Sequence, residues 1–254
     1  MKKIVTVRGI TIGEGIPKIC VPLVGQTLEE LKEEAKHVNT IDVDLVEWRV
    51  DFFNDIEEIE KVIEALSEIR AYLKDKPLIF TFRSAKEGGE RELISLEYMH
   101  LNKRIAETGL VDIIDIELFN KESEVKSLIE FAHSQNVFVI LSNHDFEKTP
   151  AKEEIVTRLR KAQELGGDLP KIAVMPSSAA DVLTLLEATN SMKEQYPDQP
   201  IITMSMAGKG VISRLSGELF GSALTFGAAK KSSAPGQIDV KELRKVLSLL
   251  HNNL

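Results

Sequence analysis

The sequence of 254 residues predicts an α/β protein, a (β/α)₈ barrel of the TIM type, from three observations. Short β-branched segments alternate with longer amphipathic segments along nearly the whole chain. Eight strand segments in about 250 residues match the size and rhythm of this barrel. No linker rich in Pro, Gly or Ser divides the chain, so a single domain over residues 1–254 is expected. An open, doubly wound sheet is the main alternative.

The elements follow from local patterns in chain order. Residues 1–15 alternate like a β-hairpin and are expected to close the floor of the barrel. The predicted strands are residues 19–24, 45–50, 78–83, 111–117, 137–142, 171–175, 201–204 and 223–226. The predicted helices between them are residues 28–38, 56–73, 93–105, 125–133, 151–165 and 179–195. The last helix, residues 240–250, repeats its apolar residues as one buried face requires.

Composition excludes several classes of function. The formal net charge of -8 disfavours nucleic acid as a partner. A single cysteine, Cys20, excludes an internal disulfide and a cysteine-rich zinc site, which suits a reducing cytoplasm. No segment has the apolar length of a membrane span. These features predict a cytoplasmic protein whose partner is a small molecule.

Strand parity predicts a cluster of charged residues inside the barrel. Val46, Trp48 and Val50 share one face of the second strand and should pack on the helices, so Glu47 and Arg49 point inward. The same reasoning turns inward Thr81, Arg83, Asp115, Glu117, Ser142, His144, Lys171, Ala173 and Met175. So many buried charges cost too much stability to be explained as packing, and they gather where barrel enzymes build active sites.

Lys171 is the most informative of these residues because it lies in a segment that otherwise reads as a buried strand. One interpretation is that it opens the strand, with its ammonium group reaching water or Asp168. The other is a desolvated amine that forms a Schiff base with a ketone or aldehyde. As the first residue of its strand it should lie low in the barrel. We therefore hypothesise that the small Ala173 leaves a channel for its side chain.

Seven motifs, in order along nearly the whole chain, resemble the type I 3-dehydroquinate dehydratase family. They are Glu47-Trp48-Arg49-Val50-Asp51, Thr81-Phe82-Arg83-Ser84 with Glu87-Gly88-Gly89, Ser142-Asn143-His144-Asp145, Pro170-Lys171-Ile172-Ala173, Met204-Ser205-Met206, Ser213-Arg214 and Ser233-Ala234-Pro235-Gly236-Gln237. The resemblance implies a barrel that is usually a homodimer and needs no metal or organic cofactor. It also implies conversion of 3-dehydroquinate to 3-dehydroshikimate in the shikimate pathway.

The resemblance implies three catalytic residues. Lys171 is expected to form the Schiff base with the C3 ketone. His144 is the expected general base and acid, which takes the C2 proton and protonates the departing C1 hydroxyl in a syn elimination. Glu87 is expected to orient His144 and stabilise its charged form.

The resemblance also implies the residues that hold the substrate. Arg214 is expected to bind the substrate carboxylate, while Glu47, Arg49 and Arg83 bind ring hydroxyls. The three arginines supply a positive field for an anionic substrate and favour a neutral Lys171. The remaining expected contacts are lid residues and apolar walls: Ser233 and Gln237, and Met204, Met206 and Phe226.

Two other kinds of enzyme and one binding protein remain open at this point. A class I aldolase would also use Lys171 but usually needs a phosphate site. A metal-dependent isomerase could use the oxygen and nitrogen ligands of Glu47, Asp115, Glu117 and His144. A barrel that only binds its ligand would keep its affinity after Lys171→Ala and never turn over.

Overall fold

Strands and helices alternate throughout the computed structural model, which describes residues 4–229 and 235–254. The strands are β1 Val5–Val7, β2 Ile10–Ile12, β3 Lys18–Leu23, β4 Leu45–Arg49, β5 Leu78–Thr81, β6 Ile113–Glu117, β7 Phe138–Asp145, β8 Leu169–Val174, β9 Ile202–Ser205, β10 Leu224–Ala228 and β11 Ile238–Asp239. The helices are α1 Leu28–Val38, α2 Ile59–Leu73, α3 Ser95–Glu107, α4 Glu122–Ser134, α5 Lys152–Glu164, α6 Ala179–Gln195, α7 Val211–Leu215, α8 Gly217–Phe220 and α9 Val240–His251.

The strands β3 to β10 form the predicted barrel. Each strand from β3 to β8 pairs in parallel with the next, and β10 pairs in parallel with β3. A parallel bridge between Ile201 and Ser222 closes the remaining gap, where the Ala223 amide donates to the Ile201 carbonyl over 2.8 Å. The barrel prediction is therefore confirmed, and the open sheet is excluded. The short β11 adds to the outer edge of β10.

The N-terminal hairpin closes the floor of the barrel, as predicted. Antiparallel pairing of β1 with β2 joins Val5 to Ile12 across a turn at Arg8 and Gly9, both of which have positive φ. Apolar side chains of the hairpin pack against residues near the N-terminal ends of the barrel strands, such as Leu45 and Leu169. Burial of this apolar surface fixes the hairpin in place.

Separate apolar cores lie on the two sides of the barrel wall and confirm the predicted strand parity. Val46, Trp48 and Val50 belong to the outer core between strands and helices. Leu45 and Ala173 belong to the inner core. The alternating side chains of parallel barrel strands therefore separate as expected, and the inward charges lie above the inner apolar core.

Several boundaries differ from the prediction. β8 begins at Leu169, two residues before Lys171, because the long β7 continues to pair with it through Leu169 and Pro170. β7 itself extends to Asp145. α7 and α8 were not predicted, since each is only four or five residues long. Among the described residues, no helix has the length and apolarity to cross a bilayer.

Candidate active site

A cavity opens at the C-terminal end of the barrel and brings together eleven of the twelve predicted site residues. The twelfth, Ser233, lies outside the described residues. The cavity is lined by Glu47, Arg49, Arg83, Glu87, Gly88, His144, Phe146, Lys171, Ala173, Met204, Met206, Arg214, Phe226 and Gln237. The predicted residues thus share one concave surface, although they come from strands and loops far apart in sequence.

Lys171 lies at the base of this cavity and is only 4% exposed. Its Nζ donates to Oδ2 of Asp115 over 3.0 Å and lies 3.8 Å from Oε1 of Glu47. The ring of Phe226 lies 4.8 Å from Nζ. The view that Lys171 opens its strand is wrong, because Leu169 and Pro170 precede it in β8. Its side chain therefore lies one layer of inward-facing side chains above the floor of the barrel.

Arg83 connects the carboxylates of the barrel interior. Its guanidinium lies 2.9 Å from Asp115, 3.1 Å from Glu117 and 3.5 Å from Glu87. Burial alone lowers the pKa of Arg83, but these carboxylates outweigh it and raise that pKa. For Asp115, burial raises the pKa, but Arg83 and Lys171 together lower it. Asp115 is thus a shared anion between two cations.

Two further carboxylates accept hydrogen bonds from neighbouring side chains. Asp51 is fully buried and accepts two hydrogen bonds from Arg49, at 2.8 and 2.7 Å, in a bidentate pair. Glu47 accepts a 2.8 Å hydrogen bond from the Thr81 hydroxyl. These contacts hold Arg49 and Glu47 in fixed positions on the cavity wall.

The loop after β5 places Glu87 above the cavity, in contact with His144 of β7. Gly88 has a φ of +82°, and a Cβ at Gly89 would lie 1.9 Å from the Arg83 carbonyl oxygen. This pair therefore has to be glycine for the loop to turn as tightly as it does. Oε2 of Glu87 accepts a 2.9 Å bond from the His144 amide and lies 3.0 Å from Nδ1 of the His144 ring.

Burial shifts the pKa values of His144 and Glu87 in opposite directions. It lowers the pKa of His144 well below its usual value, with further lowering from the cations Arg83, Lys171 and Arg49. Burial also raises the pKa of Glu87 to about 7, against the lowering effect of Arg83. An imidazole that is neutral at pH 7, with Nδ1 facing a carboxylate, leaves Nε2 available to accept a proton.

Arg214 differs from the other cavity cations because no carboxylate within the described residues pairs with it. It is 1% exposed, and its hydrogen bonds run to Sδ of Met204 at 3.7 Å and to the Pro235 carbonyl at 3.2 Å. Its Nε is buried and has no hydrogen-bond partner in the part of the chain that the structure describes. Burial lowers the pKa of Arg214 to about 10. A buried guanidinium in this state favours an anion from outside.

Some residues of the site have no role in the dehydratase that the sequence predicts. Asp115 was placed inward by parity, and its nearness to Lys171 could have been read from the register of neighbouring strands. Asp51 and Asn143 lay within recognised motifs. Gly88 and Phe146 also line the cavity. Phe146 gives no sequence signal, because its position depends on how the loop after β7 folds over Gly88.

The carboxylates proposed as metal ligands are engaged by cations. Asp115 and Glu117 contact Arg83, and Glu47 and Asp115 contact Lys171. Within residues 4–229 and 235–254, no group of three or more His, Cys, Asp or Glu side chains is arranged to hold a metal ion. The arrangement instead combines an amine, a neutral imidazole and an unpaired guanidinium. This set is suited to chemistry on a small carbonyl compound that carries a carboxylate.

Comparisons with known proteins point to one family. Residues 19–254 match the family model described as type I 3-dehydroquinase. The chain is 66% identical over 254 residues to a 3-dehydroquinate dehydratase of Bacillus licheniformis, covering 100% of both chains. A type I 3-dehydroquinate dehydratase of Clostridium difficile, solved with covalently modified comenic acid, is 59% identical, with a TM-score of 0.98 and 100% coverage of both chains. A 3-dehydroquinate dehydratase of Geobacillus kaustophilus is 40% identical, with a TM-score of 0.96 over 98% of this chain and 97% of that one.

Proposed function

Because the chain belongs to the type I 3-dehydroquinase family, we propose that it is a 3-dehydroquinate dehydratase, a hydro-lyase that works through a Schiff base on Lys171. One observation carries the mechanism: the buried amino group of Lys171 shares a cavity with a carboxylate-bound histidine and with an arginine that pairs with no carboxylate of the described residues. We further propose that the chain acts as one domain over residues 1–254.

Substrate binding begins with the carboxylate of 3-dehydroquinate at Arg214. The planar guanidinium matches a carboxylate with two parallel hydrogen bonds, and its burial strengthens the attraction. Glu47, Arg49 and Arg83 bind the ring hydroxyls. The apolar walls exclude water, and two lid residues close over the ring: the walls are Met204, Met206 and Phe226, and the lid residues are Ser233 and Gln237.

Imine formation follows. The amine of Lys171, once its proton has passed to His144, adds to the C3 carbonyl and gives a carbinolamine. Loss of the carbinolamine hydroxyl as water, with a proton from His144, leaves a C=N bond to Lys171. The protonated imine withdraws electrons and acidifies the C2 proton.

Elimination then uses His144 twice. Its neutral Nε2 takes the C2 proton, and the electron pair moves into the enamine. The enamine expels the C1 hydroxyl, which leaves as water with the proton that His144 holds. Because one base serves both atoms, the elimination is syn. Water then hydrolyses the imine and releases 3-dehydroshikimate.

Glu87 supports the charged form of His144 during these transfers. Its carboxylate at Nδ1 fixes the tautomer that leaves Nε2 free for the substrate and attracts the imidazolium that forms. Since burial lowers the pKa of His144, the base is neutral when substrate arrives. The opposed shifts of the two pKa values are typical of an acid–base pair.

The biological setting is also part of the proposal. The reaction belongs to the shikimate pathway toward aromatic amino acids, in the cytoplasm, with no metal or organic cofactor. The protein is proposed to be a homodimer. Exposed apolar side chains on α7, α8 and α9, namely Ile212, Leu219 and Leu249, are candidates for the contact. Sedimentation of the purified protein tests the homodimer, and a monomer at micromolar concentration contradicts it.

Borohydride trapping tests the chemistry directly. The protein is treated with borohydride in the presence of 3-dehydroquinate, and its peptides are analysed by mass spectrometry. We expect a reduced substrate adduct on Lys171 and none in the Lys171→Ala variant. Absence of the adduct from the wild-type protein would contradict the Schiff-base mechanism. Unchanged turnover with a chelator separates this mechanism from a metal-dependent one.

A pair of histidine variants tests the acid–base assignment. His144→Ala is expected to lose dehydration by about 10²-fold or more while some imine still forms. The matched control is His133→Ala, at a 41% exposed histidine paired with Asp168 outside the cavity, which should keep full turnover. Normal turnover in His144→Ala would remove that residue from the mechanism.

A further inference from the structure

A hydrogen-bonded chain of side chains runs from α5 to the Glu87 carboxylate. Nη1 of Arg158 donates to Oδ1 of Asn143 over 2.9 Å, and Nδ2 of Asn143 donates to Oε1 of Glu87 over 3.2 Å. Asn143 is 4% exposed. Neither Arg158 nor Asn143 is among the described residues that line the cavity. Both therefore lie behind Glu87 as seen from the substrate.

The position of Asn143 in β7 explains how it reaches Glu87 from that side. It lies between Ser142 and His144, whose side chains point inward, so its own side chain points toward the helices. Its register partner, Ile172, packs in a separate apolar cluster with side chains of α5 and α6, on the helix side of the barrel wall. Glu87 is consequently held by both oxygens, with Oε2 on His144 and Oε1 on Asn143.

Arg158 determines which end of the Asn143 amide faces Glu87. An asparagine amide has an oxygen that accepts and a nitrogen that donates, and a half-turn exchanges the two. Arginine carries donors only, so the amide oxygen must face Arg158 and the amide nitrogen must face Glu87. With the amide reversed, its oxygen would face the Glu87 carboxylate, which repels it when ionised.

Arg158 is itself held in place. Its Nε donates to Glu154 of the same helix over 2.8 Å, and its guanidinium carbon lies 5.3 Å from the centre of the Phe119 ring. It also lies 3.7 Å from Oδ2 of Asp145, the residue after His144. These contacts restrict the rotamers of a side chain that is partly exposed and would otherwise be mobile.

We propose that Arg158 and Asn143 are positioning residues for the Glu87–His144 pair, a role that rests on the proposed function of that pair. Arg158 orients the Asn143 amide, and the amide holds Glu87 ionised and in place beside His144. Without the oriented amide, Glu87 takes up a proton more readily and no longer stabilises the imidazolium.

Other charged groups also surround Glu87. Arg83, 3.5 Å away, favours the ionised carboxylate, and Glu117 opposes it. His144 completes the set. These groups are unchanged when Arg158 or Asn143 is replaced. Asn143→Ala therefore reports on the amide alone, whereas Arg158→Met also removes the contacts with Asp145 and Glu154.

The experiment measures kcat and KM for 3-dehydroquinate as a function of pH. The variants are Arg158→Met, Asn143→Ala and the double variant. We expect kcat to fall about tenfold in each single variant, the size of one lost hydrogen bond to a charged group. KM should stay unchanged, and the acidic limb of kcat should move up by about one pH unit, the shift that corresponds to the same loss. The double variant should match the single variants, because both break the same chain.

Two controls separate positioning from a general structural role. Arg160→Met removes an arginine two positions along α5, which pairs with Glu164 and stacks on Tyr196 at the surface, and should leave kcat and the pH profile unchanged. Arg158→Lys keeps a donor and a charge and should recover part of kcat and of the pH shift.

Several results would overturn the proposal. An unmoved acidic limb in Arg158→Met, additive losses in the double variant, or the same loss in Arg160→Met would each do so. If the wild-type protein shows no turnover, or His144→Ala keeps it, the proposed function fails and the positioning role fails with it. If those two behave as expected and Arg158→Met and Asn143→Ala resemble wild type, only the positioning role fails.

Discussion

The guanidinium of Arg214, which has no carboxylate partner among the described residues, gives a prediction in which stability and substrate binding change in opposite directions. Burial lowers its pKa from the ordinary value of a guanidinium to about 10. This lowering corresponds to about 3 kcal/mol against the charged form in the folded protein. Because the folded pKa is the lower one, the cost is fully present at every pH below about 10 and is relieved only as the pH rises toward the pKa of the unfolded state.

Arg214→Met keeps the length of the side chain and removes the charge. The lost hydrogen bond to the Pro235 carbonyl costs about 1 kcal/mol, and that carbonyl still accepts from the Ala207 amide. The free energy of unfolding should therefore rise by about 1–2 kcal/mol, which for a chain of this size raises Tm by about 2–8 °C. The substrate carboxylate loses its partner, so KM should rise at least about 30-fold.

The assays are thermal unfolding by circular dichroism and steady-state kinetics that follow the conjugated product by absorbance. Arg49→Met is the matched control, because Arg49 pairs with the fully buried Asp51. Breaking that pair should destabilise the protein by about 3–5 kcal/mol. A Tm of Arg214→Met below that of the wild-type protein, or an unchanged KM, would contradict this prediction.

Two further predictions concern the cavity and the pH dependence of stability. Ala173→Leu should block the space above Lys171 and so abolish borohydride trapping and turnover. It should also destabilise the protein by about 1–3 kcal/mol through overpacking. Kinetics and denaturant unfolding measure these effects, and full activity of the variant would contradict the prediction. Glu87→Gln should match wild-type stability near pH 4.5 and exceed it by about 3 kcal/mol at pH 8. The folded pKa of Glu87 is raised from 4.5 to about 7, so the wild-type protein loses this stability as pH rises through that range. Denaturant unfolding at several pH values measures the difference, and a constant difference across pH rules it out.

The charged side chains inside the barrel are buried, so each carries a desolvation cost. Arg83 contacts three carboxylates, while Lys171 shares Asp115 with it. Such buried networks seldom add net stability, but removal of one member leaves an uncompensated charge. Arg214 lies outside this network, because no carboxylate among the described residues pairs with it.

Much of the site was accessible from sequence because strand parity is a local property. Glu47 and Arg49 alternate with large apolar residues, and two faces of different polarity can be oriented only one way in a barrel wall. The boundaries of β8 were less accessible. In a sequence, a proline such as Pro170 indicates the limit of a strand. In the structure, however, the neighbouring β7 is long enough to pair with Leu169 and Pro170.

The alternation of strands and helices, the inward side chains and the motifs of the family can be read from the sequence, since each depends on neighbours along the chain. Which of the inward groups meet depends on the three-dimensional fold. Asp115 binds Lys171 from 56 residues away, Glu87 binds His144 from 57, and Arg214 finds no carboxylate partner among the described residues. These outcomes depend on the register between strands and the path of the loops, which distant parts of the chain set together.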